Sequence, residues 1–128
     1  MDDRRTPLAR ARGLGSAKEG VHHWWAQRLT AIALIPLVVW FAISLVMLSG
    51  ADYAVVRAWI GSPLVMVLLI LTIGIGLHHG QLGMQVVWED YTDGALRVVM
   101  IVFTKFLAVG GAAFALFALA KIAFGGAA

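Results

Sequence analysis

Two adjacent histidines, His78 and His79, lie inside a long apolar stretch that ends in the acidic and aromatic pair Asp90-Tyr91. Ionisable side chains inside a bilayer are costly and usually mark a functional site. A neutral imidazole is a common axial ligand of haem iron, and a phenol beside a carboxylate can donate a hydrogen bond to a quinone carbonyl. The pattern indicates a membrane cofactor and a polar small-molecule site at the surface. The ordinary alternative for Asp90-Tyr91 is an interfacial tyrosine beside a solvated acidic turn.

The two histidines of this pair are not interchangeable. Neighbouring helical residues point about 100° apart, so His78 and His79 cannot face the same ligand. The face of His79 also carries Gly76, Gly83 and, further along, Asp90. Glycines at this spacing let a neighbouring helix or a flat macrocycle approach the backbone closely. On the residues alone, His79 is either a haem ligand or a histidine that hydrogen-bonds a neighbouring helix.

Arg28 opens the first apolar stretch, and a second histidine pair, His22-His23, precedes it. A guanidinium can hold haem propionates through bidentate hydrogen bonds, or it can reach lipid headgroups while its stem stays in the apolar region. The second pair lies closer to the surface than His79, so the two pairs are not expected to bind one metal centre within this chain. If His79 binds a haem iron, Met84 is a candidate within this chain for the second ligand of that iron. However, Met84 is five positions from His79 and therefore points to a different face of the helix.

The apolar runs that must position these residues are long enough to cross a membrane. The 128-residue chain is 61% hydrophobic and 13% charged, and a span needs about 20 apolar residues. Residues 29–49, 63–88 and 98–120 each reach that length. They predict an all-α fold, an integral membrane bundle of three transmembrane helices within residues 25–128, with no room for a soluble catalytic domain. The absence of cysteine excludes thiolate-held iron–sulfur clusters and covalently attached haem.

Basic residues are distributed unevenly along the chain. They are concentrated before and at the start of the first span, and Arg97 lies between the second and third spans, whereas Arg57 and Lys121 lie on the other side. The positive-inside rule therefore places the N-terminus in the cytoplasm. Residues 1–24 are predicted to form a flexible basic arm, which is either a topology signal alone or a contact for a soluble partner or anionic lipid. Nucleic acid is not an expected partner.

Two stretches together resemble the small hydrophobic membrane-anchor subunit of succinate dehydrogenases, the D-type subunit of succinate–quinone oxidoreductases. The first stretch is Gly20-Val21-His22 followed by Arg28, Thr30, Ala31 and Ile32, and the second is His79, Gly83 and Met84 followed by Asp90-Tyr91. Each element is common by itself, whereas their order, spacing, membrane depth and three-span layout are together specific. The resemblance covers most of the chain, although the arm and the third span match only in general character.

This resemblance implies a role for each matching residue. His79 would be an axial ligand of haem b, with the other ligand supplied by the C-type cytochrome b anchor subunit. Arg28 and His22 would lie at the haem propionates. Tyr91 would hydrogen-bond the quinone, supported by Asp90. Electrons from succinate would reach quinone through a flavoprotein subunit and an iron–sulfur subunit, at the bacterial inner membrane.

Both the ligand and the function have alternatives. His78 adjoins His79, and we prefer His79 because it keeps the family's spacing to Asp90-Tyr91. The alternative function is a small proton- or ion-translocating membrane subunit, in which the histidine pair and Lys105 would form a proton relay. A haem-free helix-packing scaffold is a third interpretation.

Overall fold

The structure is a computed structural model, and it describes residues 6–12 and 18–125. Nearly all of these residues lie in helices. The elements are α1 (Pro7–Ala11), α2 (Lys18–Met47), α3 (Tyr53–Gly61), α4 (Pro63–Tyr91) and α5 (Gly94–Phe124). Three segments are long and apolar enough to cross a membrane: Gly20–Met47, Pro63–Tyr91 and Gly94–Phe124. They confirm the prediction of an all-helical chain with three candidate spans. The cytoplasmic placement of the N-terminus stays a prediction from the charge distribution.

Turn residues set the boundaries between the helices. Asp52 caps α3 by accepting a hydrogen bond from the backbone N–H of Val55 at 2.9 Å. Pro63 stands at the start of α4, where the missing N–H of proline has no cost to the helix. Gly94 opens α5 with a φ of 57°, a conformation that favours glycine. The chain therefore turns sharply at both ends of α4.

Helix α4 lies in the middle of the bundle and packs against both α2 and α5. Glycines shape both contacts. A Cβ added at Gly83 would lie 3.5 Å from the amide nitrogen of Gln27 in α2, and one added at Gly111 would lie 3.7 Å from Leu77 in α4. A neighbouring helix therefore comes within van der Waals reach at these two glycines, as small residues allow in membrane bundles, whereas a Cβ added at Gly80 would meet nothing within 4 Å.

Helix α3 lies between the first and second spans in the chain, where the sequence predicted no helix, and it contacts both the first and the third span. Its Trp59 stacks on Trp40 of α2, with ring centroids 5.9 Å apart. The guanidinium of its Arg57 donates hydrogen bonds to the carbonyls of Ile122, at 3.2 Å, and Gly125. Carbonyls at the end of α5, which lack partners within that helix, are thereby satisfied.

The first span begins earlier than the sequence indicated. Helix α2 starts at Lys18, so it takes in residues 18–24, which the sequence analysis placed in the basic arm. Part of the arm lies outside the described residues, and its predicted flexibility stays a prediction. The early start carries the second histidine pair into the helix and fixes which of its members faces α4.

Most large apolar side chains in the described part of the chain are exposed. The buried apolar core there consists of Leu37, Ile60, Leu69 and Leu82. An exposed apolar surface of this extent marks contact with lipid or with other subunits. Because the backbone polar groups of a helix bond to one another everywhere except in its end turns, the long helices can meet hydrocarbon directly along their middle.

Candidate functional site

A groove of about 590 Å³ runs between α2 and α4. Its walls carry both apolar and polar side chains from the two helices: Gly20, His23, Trp24, Gln27, Arg28, Ala31, His79, Gln85, Val86 and Glu89. The groove thus brings together His79 and Arg28, two residues that the sequence analysis selected from stretches about fifty residues apart. Trp24 and Arg28 are exposed, so the groove is open at their side.

The imidazole of His79 is held by the neighbouring helix. Its Nδ1 lies 2.9 Å from the hydroxyl oxygen of Thr30 in α2. That hydroxyl also lies 2.7 Å from the carbonyl oxygen of Ala26, one turn earlier. His79 therefore makes the hydrogen bond to a neighbouring helix that the sequence analysis gave as its ordinary role. With one ring nitrogen engaged, the other remains for a ligand in the groove.

Two buried polar atoms of α2, the Nε2 of His23 and the Oε1 of Gln27, have no hydrogen-bond partner among the described residues. Both side chains line the same groove as His79. A buried polar group without a partner costs about 1–3 kcal/mol. The groove therefore has polar groups placed for a molecule that supplies donors and acceptors, such as water or a polar cofactor.

The guanidinium of Arg28 packs over the ring of Trp24, with the central carbon 5.2 Å from the ring centroid. This cation–π contact holds the charge at the open side of the groove. His22, which the resemblance placed beside Arg28, is exposed and does not line the groove, whereas its neighbour His23 does. A role for His22 at a propionate stays a prediction.

Asp90 and Tyr91 form the last turn of α4, and both are exposed. Neither lines the groove, whose wall instead includes Glu89. Glu89 accepts a hydrogen bond from the amide of Gln85 at 2.8 Å. Asp90 and Tyr91 are therefore available to groups outside this chain, beyond the end of the groove that holds His79.

His78 lies on the other side of α4 from His79. It lines a groove of about 300 Å³ between α4 and α5, together with Lys105. Met84 lines a neighbouring groove on that same side. The two histidines thus diverge, as the helical geometry predicted, and a single proton relay through the pair would have to cross the helix.

The described residues include no cluster of three or more His, Cys, Asp or Glu side chains that could hold a bare metal ion. A haem needs less from any one chain, because the porphyrin fills the equatorial positions and one imidazole supplies an axial ligand. The groove contains two imidazoles, those of His23 and His79, and the guanidinium of Arg28, and this set fits a haem with carboxylate side groups.

Sequence reasoning did not give a role to four residues that shape this site: Thr30, His23, Gln27 and Glu89. Thr30 was part of the quoted motif but had no assigned function. Gln27 and Thr30 are polar residues three positions apart in an otherwise apolar helix. That spacing, which places both on one face, was the signal that could have identified them.

The chain matches the family described as succinate dehydrogenase/fumarate reductase transmembrane subunit over residues 2–120. Since this match covers most of the sequence, the protein belongs to that family of membrane subunits. No solved structure gives a significant match.

Curated relatives agree with this assignment. The chain is 33% identical over 108 residues to the succinate dehydrogenase hydrophobic membrane anchor subunit of Rickettsia bellii, covering 84% of this chain and 86% of that protein. It is 32% identical over 120 residues to the subunit of the same name from Paracoccus denitrificans, covering 94% and 93%. The resemblance to succinate dehydrogenase anchors that the motifs indicated is thereby confirmed.

Proposed function

We propose that this membrane anchor assembles with the other subunits of a succinate dehydrogenase and contributes residues to a haem b site and a quinone-reduction site. The observation that carries the proposal is the groove between α2 and α4. In this groove, His79 is held by a hydrogen bond at Nδ1, and Arg28 lines the same groove with a guanidinium that can bind carboxylates. The family description also includes fumarate reductases, in which electrons would flow in the opposite direction, from quinol to fumarate.

The groove residues have distinct roles in holding the haem. His79 would bind the haem iron through Nε2, and Arg28 at the open side would bind a propionate through its guanidinium. The unpaired His23 Nε2 and Gln27 Oε1 offer further polar contacts to the group or to water around it. Haem b, when bound, supplies a one-electron carrier. The C-type cytochrome b anchor would close the groove and provide the other ligand to the iron.

The quinone site lies at the end of α4. The Tyr91 hydroxyl donates a hydrogen bond to a quinone carbonyl, and Asp90 supports this contact, since its carboxyl group can orient the phenol or relay protons to the site. Tyr91 is 84% exposed within this chain, so its surroundings are provided by other subunits. The separation of the two sites is about 18 Å along α4, from twelve residues at about 1.5 Å each.

The catalysis of succinate oxidation belongs to the partners. Within residues 6–12 and 18–125, the helices and their short connections include no soluble domain that could bind flavin or succinate. A flavoprotein subunit and an iron–sulfur subunit therefore dock on the cytoplasmic side, next to the end of α4. The complex lies in the bacterial inner membrane, with the basic N-terminal segment on the same side as the soluble subunits.

The test is purification of the whole complex through a tag on this chain, followed by dithionite-reduced minus oxidised spectra. Three proteins are compared: wild type, His79→Ala, and His78→Ala as the matched control on the opposite face of α4. We expect a b-type signal together with flavin and iron–sulfur subunits in wild type, and loss of that signal with His79→Ala alone.

The outcomes separate the parts of the proposal. A signal that survives His79→Ala and is lost with His78→Ala moves the ligand to His78. Co-purification of the soluble subunits without any b-type signal removes the haem and keeps the anchor. Purification of this chain without flavin or iron–sulfur subunits refutes the assembly itself.

A further inference from the structure

We infer that Thr30 is a positioning residue that fixes the tautomer and the orientation of His79, so that Nε2 is the nitrogen available to a metal. The inference rests on the proposed haem site. It concerns a contact between two side chains that are 49 positions apart and lie on different helices.

The hydrogen-bond directions follow from the single proton of the hydroxyl. Thr30 Oγ1 lies 2.7 Å from the carbonyl oxygen of Ala26 and 3.1 Å from that of Gln27. A carbonyl oxygen only accepts, so the Thr30 proton must lie on this side. The hydroxyl can then offer only a lone pair to His79 Nδ1, at 2.9 Å. Nδ1 consequently carries the imidazole proton, and Nε2 keeps its lone pair.

A second threonine in the same chain shows this arrangement with an unambiguous donor. Thr104 donates to the carbonyl of Met100 at 2.8 Å and accepts from the indole Nε1–H of Trp88 at 2.9 Å. An indole nitrogen can only donate, so here the direction is certain. The distances match those around Thr30, which supports the same roles there.

The contact has two consequences for the ligand. It ties the ring to α2, so that rotation of the imidazole within the groove costs a hydrogen bond. It also raises the electron density of the ring, because an Nδ1–H that donates a hydrogen bond makes the opposite nitrogen a stronger ligand. A stronger ligand favours ferric over ferrous iron and therefore lowers the midpoint potential.

The experiment uses the intact complex with three substitutions. Thr30→Val keeps the β-branched shape and removes the oxygen, Thr30→Ser keeps the oxygen, and Thr30→Cys provides a weak acceptor. Thr72→Val is the matched control, because Thr72 Oγ1 also bonds the carbonyl four residues earlier, at 2.7 Å, but has no bond to another helix among the described residues. Haem retention per flavin during dilution and the midpoint potential of the haem are measured.

For Thr30→Val we expect haem affinity to fall about 10- to 100-fold, the range for loss of such an outer contact, and the midpoint potential to become more positive. Thr30→Ser and Thr72→Val should match wild type, and Thr30→Cys should lie between. If Thr30→Val fails to assemble, the potential of Thr30→Cys decides, and a wild-type value there overturns the inference.

The inference and the haem proposal fail in different ways. If the wild-type haem depends on His79 but Thr30→Val leaves retention and potential unchanged, the role of Thr30 is refuted and the haem site stands. If Thr30→Ser behaves like Thr30→Val, the effect is one of packing and the hydrogen-bond argument is wrong. If the wild-type complex contains no haem, both proposals are refuted together.

Discussion

Replacement of Tyr91 by phenylalanine is expected to separate quinone reduction from succinate oxidation. Tyr91 is the last residue of α4, and its side chain is 84% exposed. Within the described residues its hydroxyl makes no hydrogen bond, so removing that oxygen breaks nothing in the fold of this chain. Any loss of activity would then reflect a group outside the chain, which in our proposal is the quinone.

The size of the effect distinguishes two roles for the hydroxyl. A neutral hydrogen bond to the quinone carbonyl contributes about 0.5–1.5 kcal/mol, which corresponds to about a 2- to 13-fold loss in kcat/KM for quinone. Proton donation in the transition state contributes about 10²- to 10⁴-fold. A loss in the lower range assigns Tyr91 to binding and orientation, and one in the higher range assigns it to proton transfer.

The assay compares two electron acceptors on the same purified complex. Quinone reduction should fall, whereas succinate oxidation with an artificial acceptor that reacts at the soluble subunits should not. Tyr53→Phe is the matched control, since Tyr53 is the other tyrosine of the chain, lies at the start of α3 and is 69% exposed. Equal losses with both acceptors, or equal effects of the two substitutions, would refute the quinone contact.

Three further predictions concern the packing of the helices and the groove. Gly83→Leu is expected to lower the haem content of the complex, because a Cβ at that position would already lie 3.5 Å from the side-chain amide of Gln27 and leucine is larger. Gly80→Leu is the control and should be tolerated, since a Cβ added there meets nothing within 4 Å. Equal haem-to-flavin ratios in the two variants would contradict this prediction. Arg28→Gln should weaken haem retention more than Arg28→Lys, because only lysine keeps the positive charge. If both variants retain haem as wild type does, Arg28 does not bind the haem, and contact with lipid headgroups is its remaining role. Arg57→Met should destabilise the chain by about 1.5–3 kcal/mol, because the hydrogen bonds to the end of α5 are lost. The measurement is the midpoint of thermal unfolding in detergent, which should be lower than in wild type. An unchanged midpoint would show that these bonds do not contribute to stability.

Features set by local periodicity were predictable from the sequence. The three spans follow from the length of the apolar runs, and the divergence of His78 and His79 follows from the angle between neighbouring helical residues. Both agree with the helices and grooves described above. The placement of Gly83 against α2 also agrees with the reading of glycines as close-packing sites.

Features set by the relative rotation of two helices were not predictable. The bond between Thr30 and His79 depends on the register of α2 against α4, which no local pattern records. The choice of His23 over His22 for the groove depends on α2 starting at Lys18, within a segment whose polar composition indicated an arm. Helix α3 was missed because nine residues are too few to give a periodic signal distinguishable from a loop.

The middle position of α4 also determines how a second subunit can approach. The groove that contains His79 lies between α2 and α4, and α5 packs against the opposite side of α4. On the proposed function, a partner that supplies another ligand would reach the groove at its open side, beside Trp24 and Arg28, and not through α5. The outer face of α5, with its exposed phenylalanines Phe106, Phe114 and Phe117, would then be free to contact lipid. On this proposal, α4 separates a side of the anchor that contacts protein from a side that contacts the bilayer.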